Sequence, residues 1–169
     1  SDNYITGSHT GLYDTASWNR GIWFDGGGVY LSVTGNTIEY SRTAVNTDMT
    51  GSSTATIANN TFRNDGTGLS VGIDSVGLTI TNNTFTNVDA DINMRNLPAG
   101  QALNVGATGN TAAPGDTFVI LAGSGADNLT GTTGADIIDG NNLNPANTDN
   151  DVLNGLAGND LLYGRGGDD

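Results

Sequence analysis

The strongest constraint on the fold is a short motif that returns at near-constant spacing along the first two thirds of the chain. Val33-Thr-Gly-Asn36-Thr-Ile38, Ile57-Ala-Asn-Asn60-Thr-Phe62 and Ile80-Thr-Asn-Asn83-Thr-Phe85 superimpose with steps of 24 and 23 residues. A fourth copy, Ala107-Thr-Gly-Asn110-Thr, follows 27 residues later, with the extra length assigned to the loop around Asn96-Leu-Pro-Ala-Gly100. The register extends on both sides. Five residues before each Asn stand Leu31, Ala55, Leu78 and Val105, and three before stand Val33, Ile57, Ile80 and Ala107. Nine after come Val45, Leu69, Ile92 and Val119, and eleven after come Thr47, Val71, Met94 and Leu121. Only Thr47 is polar in this set, and the two-residue spacing within each group is that of strands.

A unit of this length made of short strands cannot bury its apolar face alone, so successive copies must stack and share one core. The expected fold is all-β: a right-handed parallel β-helix over residues 1–121. Asn36, Asn60, Asn83 and Asn110 are read as a turn ladder whose amides bond to the copies above and below. The same ladder accounts for the N-x-T patterns Asn59-Asn60-Thr61 and Asn82-Asn83-Thr84. An imperfect earlier coil is read in Ile5-Thr-Gly-Ser8, with Ile5 in the place of Val33, Ser8 in that of Asn36, and Gly21-Ile-Trp-Phe24 as its return strand. An uncapped first coil invites further pairing, so the chain is expected to begin inside a longer parent.

Charge narrows the partners. The chain has 18 acidic residues against five basic ones, all arginine, for a net charge of -13. That balance argues against nucleic acid and anionic membranes and for divalent cations. Residues 116–169 hold nine of the acids and a single arginine, so the demand for a cation is concentrated there. With no cysteine, disulfides and thiolate metal sites are excluded. No apolar run is long enough for membrane insertion, and residues 1–20 lack a basic-then-apolar leader.

Residues 122–169 carry a second period. Asp127, Asp136, Asp151, Asp160 and Asp169 are separated by 9, 15, 9 and 9 residues, the long step holding a six-residue insertion in Asn141-Asn-Leu-Asn-Pro-Ala-Asn147. Four of the five follow a glycine-containing turn, with Gly125, Gly134, Gly158 and Gly167 two residues before them. This resembles the nonapeptide G-G-x-G-x-D-x-U-x of the RTX (hemolysin-type) family, a calcium-binding repeat. Glycines permit positive-φ turns and bring carbonyls inward, Asp supplies a hard anionic oxygen, and the apolar residues Leu129, Ile138, Leu153 and Leu162 enter a thin core.

The resemblance implies a calcium β-roll with alternate turns on opposite edges. Asp127, Asp151 and Asp169 would line one edge and Asp136 and Asp160 the other. The departures are Ala122, Thr132, Leu156 and Arg165 at motif glycines and Asp149 two residues before Asp151, so the weakest sites are expected at the third repeat. The family also implies an extracellular, secreted parent, exported by type I secretion through a C-terminal signal. The last repeat stops at Asp169 before its strand and no such signal is present, so this end is expected to be cut or to meet another molecule.

A β-helix joined to RTX repeats is similar in architecture to the mannuronan C5-epimerases. Those enzymes use a Tyr/Asp/His set around D-P-H, whereas the one histidine here, His9, has neither Pro nor an acid beside it; Tyr13 and Asp14 are its nearest companions in kind. The outward candidates Asp25, Asp48, Asp74, Arg42 and Arg63 do not align at one repeat position. The aromatics Tyr4, Tyr13, Trp18, Trp23, Phe24, Tyr30 and Tyr40 crowd the first forty residues and are read first as packing, second as stacking surfaces for a polysaccharide. Two classes follow: a scaffold, adhesin or filament segment with end-to-end self-association, or the terminal part of a polysaccharide epimerase or lyase.

Overall fold

The computed structural model describes residues 3–6, 20–25, 30–48, 54–71, 79–94, 102–104, 106, 108–123, 125–141 and 148–169. Every regular element among them is a strand, and all strand pairings are parallel. Five strands stack as β1 (Tyr4–Thr6), β4 (Thr37–Glu39), β7 (Thr61–Arg63), β10 (Thr84–Thr86) and β13 (Thr111–Ala112). A second sheet stacks β2 (Arg20–Asp25), β5 (Thr43–Asp48), β8 (Thr67–Val71), β11 (Ala90–Met94), β14 (Phe118–Leu121), β16 (Asp136–Asp139) and β18 (Leu161–Tyr163). The third face is divided between β3 (Tyr30–Thr34), β6 (Thr54–Ala58) and β9 (Thr79–Thr81), and then β12 (Ala102–Asn104), β15 (Asn128–Thr130) and β17 (Val152–Asn154).

The chain is therefore a parallel β-solenoid. Coils of three strands give way to coils of two, a β-roll, and the second sheet runs unbroken from one into the other through the β14–β16 pairing.

The Asn ladder forms as the repeats imply. The backbone N–H and side-chain Nδ2 of Asn36 both donate to Asn60 Oδ1 (3.0 and 3.1 Å), those of Asn60 to Asn83 Oδ1 (both 3.0 Å), and those of Asn83 to Asn110 Oδ1 (both 3.0 Å). The second amide proton of Asn60, Asn83 and Asn110 reaches the carbonyls of Val33, Ile57 and Ile80. Each buried amide thus meets its donor capacity inside the stack, which is what makes a polar column tolerable in a core.

Two register assignments are corrected. In the first coil the ladder member is Asn3, not Ser8: its N–H and Nδ2 donate to Asn36 Oδ1 at 3.2 and 3.1 Å. Ile5 pairs with Ile38 and so takes that place, not the place of Val33, while the return strand falls as expected with Ile22 beside Val45. Ser8 lies outside the described residues, as do Leu78, Val105 and Ala107.

In the fourth coil the inward residues are Phe118, Ile120 and Ala122, each fully buried, and Val119 and Leu121 are only partly covered. Ile92 pairs with Ile120, ten residues after Asn110 where earlier coils use nine. The corner Ala113-Pro114-Gly115-Asp116-Thr117 absorbs the extra residue: Asp116 N–H closes on Ala113 O and Gly115 takes φ +93°. Because strand side chains alternate, a slip of one residue exchanges the inner and outer sets.

The slip serves packing. Ile38, Phe62 and Phe85 stack at one register position, with the Phe62 and Phe85 rings 5.0 Å apart. The next coil offers only Ala112 there, and Phe118 from the neighbouring sheet fills the room, edge-on to Phe85 at 5.3 Å. Gly68 is required opposite: a Cβ would lie 2.6 Å from the Phe85 ring.

Candidate calcium sites

In the roll, two-strand coils leave two rows of turns, and the aspartates fall into the rows that the resemblance to the nonapeptide repeat implies. Asp151 Oδ1 accepts the N–H of Asp127 (2.9 Å) and Asp169 Oδ1 accepts that of Asp151 (2.8 Å). On the opposite edge, Asp160 Oδ1 accepts the N–H of Asp136 (3.1 Å). Each carboxylate thus lies against the turn of the preceding coil on its own edge.

The turns are packed tightly enough to demand glycine at particular points. A Cβ on Gly158 (φ +137°) would strike the carbonyl of Gly134, and one on Gly167 (φ +124°) the carbonyl of Asp149. Gly125 shares the positive φ (+122°), but Gly134 does not. Its turn is closed otherwise: Gly134 N–H donates to Thr132 Oγ1, and Thr132 gives its N–H and hydroxyl to Asp136, each at 2.9 Å. Thr132 thus acts as a side-chain turn former where the motif has glycine.

Leu156 (φ 66°) and Arg165 (φ 78°) keep the left-handed backbone of the glycines they replace, at a cost of about 1–2 kcal/mol each. At Arg165 the guanidinium fork on Asp139 offsets this, with Nε 3.1 Å from Oδ1 and Nη2 2.5 Å from Oδ2.

The apolar residues of the repeats grade from inside to outside. Leu129 and Ile138 are fully buried, Leu153 packs partly against the core, and Leu162 is 43 % exposed.

The electrostatics are those of a site that wants a cation. Both carboxylate oxygens of Asp127 are buried without a hydrogen-bond partner, and burial first, then Asp151 and Asp149, pushes its pKa to about 7. Burial raises Asp136, opposed by the bonds from Thr132, and raises Asp151, opposed by the Asp127 N–H and reinforced by Asp169, Asp149 and Asp139. Among the described residues no three acidic or histidine side chains form a ready metal cage. The donor set is instead one of hard carboxylate oxygens beside backbone carbonyls, which suits calcium and not a softer metal.

Two buried acids in the upstream coils add to this. Asp65 accepts the Ser41 N–H and Asp91 the Val119 N–H, and burial pushes each to about 7, with Glu39 adding to the first and Asp116 and Asp136 to the second. These acids and Asp127 hold protons in the fold that an unfolded carboxyl releases near pH 3.9. Their contribution is therefore present at low pH and lost as pH rises through about 7. Thermal melts in chelator should show higher stability at pH 5 than at pH 8, and calcium should reverse the Asp127 share because the ion needs the ionised form. A chelated protein that gains stability from pH 5 to 8 would contradict the assignment.

Of the outward groups, Arg63 is tied to Glu39 (Nε to Oε2, 2.6 Å), and Asp25 and Asp48 are register partners on neighbouring strands. Trp23 and Tyr40 are exposed, while Phe24 packs against the core. His9, Tyr13, Asp14, Trp18 and Asp74 lie outside the described residues.

The family model for the RTX calcium-binding nonapeptide repeat, four copies, matches residues 120–142 and 145–169. None of the curated proteins and none of the solved structures matches the chain, so no relative stands behind the likeness to mannuronan C5-epimerases. The tail is a β-roll of calcium-binding RTX repeats, and calcium is the ion such repeats take.

Proposed function

We propose that the chain is a calcium-dependent structural module of a secreted, extracellular protein, serving as a scaffold or adhesive segment. The observation that carries this is the Asp127 carboxylate, buried with neither oxygen satisfied, in a row of aspartates laid turn on turn. In this reading residues 1–121 supply a β-helix that holds itself together through its Asn ladder and apolar stack. Residues 122–169 supply a roll whose carboxylates repel until calcium neutralises them. Asp127, Asp151 and Asp169 would hold ions on one edge and Asp136 and Asp160 on the other, with carbonyls of the glycine turns completing the shells. Such a segment stays open where calcium is scarce and closes where it is abundant, which suits export.

End-to-end self-association is the second part of this reading, and the exposed apolar side chains Val152, Leu156, Leu161, Leu162 and Tyr163 are the surface it would use. Calorimetric titration with calcium, alongside light scattering, tests both parts. Heat of binding with proton release, reduced in an Asp136→Ala/Asp160→Ala variant, and growth in particle size are expected. Absence of heat would remove the calcium reading, and binding without growth would remove the self-association.

A further inference from the structure

We propose that Arg165 is a cation built into the roll: it pairs with Asp139, an acid outside the Asp position of the repeat, and so lowers the calcium concentration at which the roll closes. The proposal rests on the calcium-binding reading above and adds to it a residue that sets the calcium threshold.

Arg165 is the single basic residue among the nine acids of residues 116–169, and it stands where the repeat has glycine. Its backbone is left-handed (φ 78°), a conformation that glycine adopts freely and arginine does not. Leu156, the equivalent residue one repeat earlier, shares that backbone (φ 66°) and leaves its side chain 52 % exposed. The Arg165 side chain is engaged instead. Its Nε lies 3.1 and 3.2 Å from the two carboxylate oxygens of Asp139, Nη2 lies 2.5 Å from Oδ2, and the guanidinium carbon is 4.8 Å from the centroid of the Tyr163 ring. A planar guanidinium suits both a carboxylate fork and an aromatic face.

Asp139 needs such a partner. Its side chain is 4 % exposed, and the Asn141 N–H reaches Oδ1 only at 3.3 Å. Asp139 ends β16 opposite Tyr163 of β18, and Asn141, two residues on, holds Asp151 Oδ2 through Nδ2 at 3.0 Å. The charge of Asp139 is accordingly one of those that raise Asp151. Without a counter-charge, Asp139 would add a buried negative group beside the carboxylates that calcium must bring together. With Arg165 on it, the last turn is tied to the coil before it by a protein cation, and the ions have less repulsion to offset. The tie is a single one, so the remaining acids still open the roll in chelator.

Arg165→Gly separates this role from a mere departure from the repeat, because the two predict opposite signs. Restoring glycine relieves the left-handed backbone, so a roll in which Arg165 does nothing further would close at lower calcium. Calcium titration of the full chain at constant ionic strength, followed by circular dichroism, reads the midpoint of closure. The midpoint should rise about three-fold or more in Arg165→Gly and in Arg165→Gln, and should return toward the wild-type value when Asp139→Asn is added to either. An unchanged or lower midpoint in Arg165→Gly, or an effect of Asp139→Asn that is the same with and without Arg165, would overturn the role of Arg165 while leaving the roll a calcium binder. A wild-type chain indifferent to calcium would overturn both. If Arg165→Gly does not fold in saturating calcium, Arg165→Gln with and without Asp139→Asn decides.

Discussion

Replacing Asn83 by Asp should cost the protein at least about 3 kcal/mol at pH 7, despite the near-identical shape. Asn83 is fully buried, and its Nδ2 donates to Ile57 O (2.8 Å) and Asn110 Oδ1 (3.0 Å). A carboxylate donates neither bond, takes this donor from the buried carbonyl of Ile57, and sets its own oxygen against Asn110 Oδ1, which keeps only the backbone N–H of residue 83. Each buried group left unsatisfied costs about 1–3 kcal/mol before the buried charge is counted. The native state would hold this Asp protonated, so the deficit relative to wild type should shrink as pH falls toward 5. Urea unfolding of both proteins at pH 7 and pH 5 measures it. Asn87→Asp is the control: its side chain bonds Asn64 Oδ1 on the exposed outer corner, and a change within about 0.5 kcal/mol is expected. An Asn83→Asp protein as stable as wild type would mean the column is not a structural ladder.

The ladder was readable because four copies repeat both the Asn and its apolar neighbours, and periodic stacking is the one tertiary feature that a single sequence displays directly. The edges of the roll were readable only through the resemblance to the RTX nonapeptide, which implies alternate turns on opposite edges and so places Asp127 with Asp151 and Asp136 with Asp160. The register of the first coil was not. Asn3-Tyr-Ile5 keeps only the Asn and the apolar residue two places on, and it stands 33 residues before Asn36 without the preceding apolar strand. A search for Asn-x-apolar alone would have found it.

The slip at Phe118 had a local signal in Pro114-Gly115, a pair that marks a turn but does not say how many residues the turn absorbs. The interior of the sites was least legible. Thr132 and Asp149 both read as defects against the repeat. In the fold, Thr132 satisfies a carboxylate and Asp149 stands against the Gly125 N–H. Single departures from a period carry their meaning in contacts, which spacing does not encode. Asp65 and Asp91 escaped notice because no other coil has an acid in their places, and their burial comes from the corner that holds Asp65 and the strand β11 that holds Asp91.

Removal of calcium should unfold the tail and spare the upstream coils. The β-helix is held by the Phe62, Phe85 and Phe118 stack and the Asn column, whereas the roll has two fully buried apolar repeat residues, Leu129 and Ile138, to set against eight negative charges in excess over residues 116–169. Without the ion the carboxylates must be protonated or must separate, and the thin core cannot oppose separation. Because β14 pairs with β16, loosening should spread as far as the Phe118 strand and stop at the coil of Phe85, where β11 keeps its pairing with β8.

The measurement that tests the account most directly is hydrogen exchange of the backbone amides, followed by mass spectrometry, in saturating calcium and in chelator at pH 7. Protection of the amides in 125–141 and 148–163 should fall by about a hundred-fold or more in chelator, equivalent to losing some 3 kcal/mol of local stability, while 54–71 and 79–94 stay unchanged. Equal protection of the tail with and without calcium would contradict the central claim that the ion holds the roll together.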